Sequence, residues 1–133
     1  MRTRQAVPAV HAGIYLARAD QVRKVRRALA EYLAGCPAAD DALLVASELA
    51  SNAIVHSASR GRFFTVVAGL HADHVRVEVE DLGGPWRRRR ADGRPHGLDL
   101  VEALTGPGGW GTRATHDGCR VVWARLSLSA PGE

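Results

Sequence analysis

Residues 62–70, RFFTVVAGL, and 74–81, HVRVEVED, stand on either side of a short polar turn, His71-Ala72-Asp73. In the second run Val75, Val77 and Val79 alternate with Arg76, Glu78 and Glu80. Successive side chains of a strand point to opposite faces, so this alternation puts the valines on a buried face and the charges on a wetter one. The pair reads as an antiparallel hairpin packed on one side, and a second layer is needed to cover the valines.

The covering layer is sought upstream. Residues 39–56 carry Leu43, Leu44, Val45, Leu49, Ile54 and Val55, with Gly61 beyond them, and predict a long helix. Before it, Val22, Val25, Leu29 and Leu33 recur at helical spacing, and Gly35 followed by Pro37 ends the element. Asp20 is the expected N-cap, its carboxylate accepting from the first free amides. Residues 12–18, AGIYLAR, predict a first strand. Downstream, Leu82 to Pro95 is rich in Gly, Pro and Arg. A short helix over 98–104, the segment GPGGWG and a hairpin at 109–115 and 119–128 complete the chain. The order β-α-α-β-β-loop-α-β-β predicts an α+β fold: a two-layer sandwich with a mixed, mainly antiparallel sheet and helices on one face. The chain of 133 residues is expected to form one domain, 1–133, with residues 1–11 as a flexible tail.

Composition excludes several classes. Hydrophobic residues make up 46% and charged residues 24%, which a mainly disordered chain would not show. Eighteen Lys and Arg face 14 Asp and Glu, a formal charge of +4, and Arg87, Arg88, Arg89 and Arg90 account for all of the excess. A basic footprint that local is a poor basis for a general nucleic-acid surface, although Trp86 beside the run leaves such a contact as a third reading. No stretch approaches a membrane span and no apolar core follows the basic start, so neither membrane insertion nor secretion is expected. Cys36 and Cys119 form no CxxC pair and read as reduced thiols of a cytoplasmic protein. P-loop, HEXXH, GxSxG and protein-kinase HRD or DFG patterns are missing, and the six histidines show no zinc spacing. Trp86, Trp110 and Trp123 read as core or lid anchors, and Cys119 as a packed thiol.

Three segments carry residues suited to chemistry. In SELASNAIVHS (47–57), Glu48 and Asn52 are four apart on one helix face, and His56 extends the row. A carboxylate beside a carboxamide offers hard oxygens of the kind Mg²⁺ takes when it also holds phosphates, although a solvated polar stripe has the same composition. In VEDLGG (79–84), Asp81 ends a buried strand before Gly83 and Gly84. It could accept from an exocyclic amine beside exposed backbone, or simply close a turn. In GRPHGLDLV (93–101), His96, Gly97 and Leu98 open a helix whose first amides could meet phosphate, or merely begin a helix.

Their order, E-x-x-x-N on a helix, then strand-D-x-G, then HGL opening a helix, resembles the Bergerat-fold ATPases that include gyrase, Hsp90 and histidine kinases. The likeness is nearest to the bacterial anti-sigma-factor serine/threonine kinases and their actinobacterial relatives, and it covers about Gly13 to Leu128. The three segments look like that family's N-box, G1 box and G2 box. The resemblance implies ATP and Mg²⁺ as cofactors, with Asn52 on the metal and Glu48 as general base or its orienter. It further implies Asp81 on the adenine amino group, Gly83 and Gly84 beside the purine, and His96, Gly97 and Leu98 at the phosphates. It implies a homodimer that binds a sigma factor and phosphorylates a small antagonist protein, with no direct nucleic-acid contact. Pro85 and Pro95 depart from the family's glycines, and proline supplies no amide donor. The alternative is therefore a catalytically weak nucleotide-binding module that acts through protein–protein contacts.

Overall fold

The valine alternation that predicts the hairpin is realised in β2 (Phe63–Leu70) and β3 (His74–Asp81), which pair antiparallel. Val75, Val77 and Val79 are buried on one face, together with Phe64, Val66 and Ala68 of β2. The structure is a computed structural model and describes residues 10–84 and 97–128. Three further strands complete the sheet: β1 (Val10–Leu16), β4 (Trp110–Ala114) and β5 (Arg120–Ser127), in the order β1-β2-β3-β5-β4. Every pairing among these strands is antiparallel, so the parallel pair that a mixed sheet would contain is not found there. The reason is the return path: β5 folds back from β4 and inserts beside β3, running opposite to both.

Helices α1 (Gln21–Tyr32), α2 (Ala39–His56) and α3 (Leu98–Thr105) form the second layer. Val25, Leu29 and Leu33 from α1 and its C-cap, with Ala42, Val45, Leu49 and Ala53 from α2, fill the space above the sheet valines. Truncating a fully buried leucine such as Leu29 to alanine should cost about 2–5 kcal/mol. The fold is thus the expected α+β two-layer sandwich.

Two local expectations change. β1 begins at Val10, so it takes in two residues of the segment expected as a tail, and residues 1–9 lie outside those described. Asp20 occupies the N-cap position of α1 but makes no side-chain cap bond. Its carboxylate accepts from Arg18 instead, at 3.3 and 3.1 Å, because a charged donor two residues away outcompetes a neutral amide. Trp110 packs against the core, whereas Trp123 lies on the open sheet face under the Arg76 guanidinium, 4.7 Å from its ring centre.

Candidate functional site

The row Glu48, Asn52 and His56 lies on α2, as the spacing requires. Asn52 is only 5% exposed, and its Nδ2 has no hydrogen-bond partner among the described residues. An unpaired buried amide donor costs free energy until an acceptor reaches it. The start of α3 stands against this row. A Cβ built on Gly97 would collide with Glu48 Oε2 and sit 3.6 Å from Asn52 Oδ1. Glycine is what lets two oxygen-bearing side chains come so close to the first turn of a helix. Leu98 beside it is buried in the core, which pins that turn to the sandwich.

Glu48 Oε2 and Asn52 Oδ1 are hard oxygen donors that converge on one glycine. This donor set fits a magnesium ion, and the unpaired Nδ2 of Asn52 fits an oxygen acceptor such as a phosphate or a water.

The second group is built at the end of β3. Asp81 continues the buried face of Val75, Val77 and Val79 and is 3% exposed. It therefore lies on the same side of the sheet as α2. Its Oδ1 accepts from the Gly83 amide at 2.7 Å, a tight turn that Gly83 permits because its φ is +78°. A Cβ on Gly83 would run into the carbonyl oxygen of Gly118, so two backbones touch here. Burial pushes the Asp81 carboxyl upward; the Gly83 N–H and the Arg120 guanidinium pull it back, and Glu80 adds a small upward push.

A third set of contacts ties the two groups together. Ser57 donates to the Ala53 carbonyl at 2.6 Å and accepts from the Ser59 amide at 3.0 Å. Ser59 Oγ accepts from the Leu82 amide at 2.8 Å, and the Ala58 amide donates to the Gly83 carbonyl at 2.9 Å. The end of α2 is thereby bonded to the segment that follows Asp81. A Cβ on Gly84 would lie 3.4 Å from Ala58 Cβ.

Of the residues expected at the site, Glu48, Asn52 and Gly97 come together, and Asp81, Gly83 and Gly84 form a second cluster bonded to the same helix end. Leu98 contributes to the core. His96, Pro85, Pro95, Trp86 and the arginine run 87–90 lie outside the described residues. Sequence reasoning missed Ser57, Ser59 and Arg120. The two serines had a signal, since small hydroxyl residues just past a helix commonly bond its last turn and the following chain. Arg120 had none, because only the pairing register of β3 with β5 sets it opposite Asp81. Cys119, half-buried, has its thiol pushed upward by burial and by Asp117, which suits a packed thiol rather than a nucleophile.

Among the described residues no helix is long and apolar enough to cross a membrane. The sequence pattern of the family described as "Histidine kinase-like ATPase domain" matches residues 15–117. Among solved structures, the chain is similar to the RsbU and RsbW domains of Rv1364c from Mycobacterium tuberculosis. The TM-score is 0.64 and the identity 26%, over 91% of this chain and 33% of that one. The chain thus spans about a third of the length of that neighbour. No curated protein matches it.

Proposed function

Since the chain belongs to the histidine kinase-like ATPase domain family, we propose that it is an ATP- and Mg²⁺-dependent regulatory serine/threonine kinase of the anti-sigma-factor type, acting on a small antagonist protein. The observation that carries this reading is the meeting of Glu48, Asn52 and Gly97, with a buried amide donor of Asn52 left unpaired. A structural stripe would have satisfied that amide within the protein or exposed it to water. Kinship with a structure that contains an RsbW domain supports the regulatory assignment.

In this reading Asn52 would hold the metal through Oδ1, with Glu48 close by, and Gly97 and the first amides of α3 would meet the phosphates; a phosphate role for His96 is carried by the sequence motif alone. The ion, when bound, would neutralise charge on the phosphate oxygens. Glu48 accepts the proton of the attacking hydroxyl, a role for which its place beside the phosphate-facing turn suits it. Asp81 accepts from the exocyclic amine of adenine, while Gly83 and Gly84 leave the backbone bare for the purine. Phosphoryl transfer is mainly positioning and charge neutralisation, so this short set of groups suffices.

The reading extends to a homodimer in the cytoplasm. It is supported by an uncharged edge strand, β1, whose outer face presents Val10, Ile14 and Leu16, with Ile14 75% exposed and Phe63 of β2 beside them. A second reading, a nucleotide-binding module without transfer, is favoured by Pro85 and Pro95, each standing where a glycine amide would serve the ligand. One assay separates them: the protein is incubated with labelled ATP and a small antagonist protein of the anti-sigma-factor type. Phosphoserine that disappears in Glu48→Ala supports the kinase, and tight ATP binding with no transfer supports the module. If the wild-type chain fails to bind ATP with or without magnesium, both are wrong.

A further inference from the structure

Arg120 has no part in the roles above, yet it reaches both halves of the strand-end cluster. Asp81 and Arg120 are directly opposed in the β3–β5 register, so their side chains rise from the same sheet face. Arg120 Nε and Nη2 each lie 3.4 Å from Asp81 Oδ2, and Nη1 donates to the Gly84 carbonyl at 2.9 Å. The guanidinium is mostly enclosed and the carboxylate almost wholly so, with 17% and 2% of their side-chain surface exposed. A planar fork can hold a carboxylate with one edge and a carbonyl with the other; an ammonium, which acts as a point charge, cannot fix both.

The geometry leaves room for one more donor. An ionised carboxylate has about four acceptor sites. The Gly83 amide takes one on Oδ1, and the two Arg120 contacts to Oδ2 are long for charge-assisted bonds. Burial favours the neutral form of Asp81, which would carry a proton on one oxygen and lose acceptor capacity; the Arg120 charge and the Gly83 N–H oppose that change.

We propose that Arg120 is the positioning residue of base recognition: it locks the Asp81 carboxylate and the Gly84 carbonyl in one frame, so that Asp81 presents a fixed acceptor to an exocyclic purine amine. This inference rests on the nucleotide reading given above. It makes Arg120 a determinant of selectivity rather than of overall affinity.

The test is calorimetric binding of ADP and of purine riboside diphosphate, which lacks the 6-amino group, to the wild-type chain, Arg120→Gln and Arg120→Lys. The wild-type chain should prefer ADP on the order of tenfold or more. In Arg120→Gln the preference should collapse toward unity, and in Arg120→Lys, which keeps the charge but not the fork, it should be intermediate. A merely structural role would weaken both ligands alike; an unchanged ratio in Arg120→Gln therefore overturns the proposal. If Arg120→Gln does not fold, the ratio in Arg120→Lys decides, a fall supporting the proposal and an unchanged ratio ending it. A wild-type chain that binds neither ligand removes the nucleotide reading itself. One that binds both equally removes the role of Asp81, and that of Arg120 with it.

Discussion

Asn52 and Asp81 are buried almost equally, yet the protein treats their polar atoms in opposite ways. Asp81 is supplied from within: the Gly83 amide holds one oxygen and Arg120 approaches the other. Asn52 keeps a buried amide donor with no partner among the described residues, beside the Glu48 carboxylate and the first turn of α3. The difference separates a cluster whose polar groups are satisfied within the protein from one that keeps a buried donor unsatisfied. The strand-end cluster is part of the framework and contributes to stability whether or not a ligand is present. The α2–α3 cluster keeps one buried donor unpaired, which costs about 1–3 kcal/mol that an acceptor would recover. Changes at the first cluster should therefore be felt in folding as well as in base selectivity, and changes at the second mainly in binding affinity.

The sharpest way to break that distinction is Gly83→Ala. The new methyl would meet the Gly118 carbonyl oxygen at a backbone φ of +78°, and neither backbone can step aside cheaply. A loss of about 2–4 kcal/mol in chemical denaturation is expected. A variant as stable as the wild type would show that the cluster is not framework.

Asn52→Ala should give the reverse pattern. Magnesium-dependent nucleotide binding is lost, at least a hundredfold by calorimetry, about 2.7 kcal/mol or more. Stability should hold within about 1 kcal/mol or even rise, since the unpaired donor goes with the side chain. Unchanged nucleotide affinity in this variant would end the assignment of the α2–α3 cluster. Gly97→Ala is milder: the methyl falls on Glu48 Oε2, the free end of a flexible side chain that can turn away. A drop in affinity of about tenfold with a stability change below about 1 kcal/mol is expected.

The smallest effect is in the pH dependence of folding. Burial holds the Asp81 pKa above its ordinary value of 3.8, so the native chain binds this proton more tightly than the unfolded chain. The stability this group contributes is therefore greatest in acid and is lost as pH rises through the raised pKa. Unfolding free energies of wild type and Asp81→Asn, measured from about pH 3 upward, should show the wild type losing ground to the variant as pH increases. Parallel curves would mean that Asp81 is not a desolvated framework group.

Much of this could be read from the chain alone. The valine alternation in 74–81 fixed the hairpin and its buried face, and the apolar spacing of 21–33 and 39–56 gave both long helices nearly to their ends, because burial imposes a period on any element with one wet side. The Asp20 cap bond fails to form for a local reason: capping rules say which residue can accept, not which donor reaches it first. The spacing of four puts Glu48 and Asn52 on one face of α2, and the valine alternation puts Asp81 on the buried face at the end of β3, as the structure has them. Local sequence thus determined the elements, their faces and which polar side chains share a face. The tertiary structure decided which of those residues meet. Gly97 stands against Glu48 only because α3 packs beside α2, and Arg120 reaches Asp81 only through the β3–β5 register. Contacts between residues some forty to fifty positions apart depend on how the whole sandwich closes, and a single chain read by itself leaves no periodic trace of them.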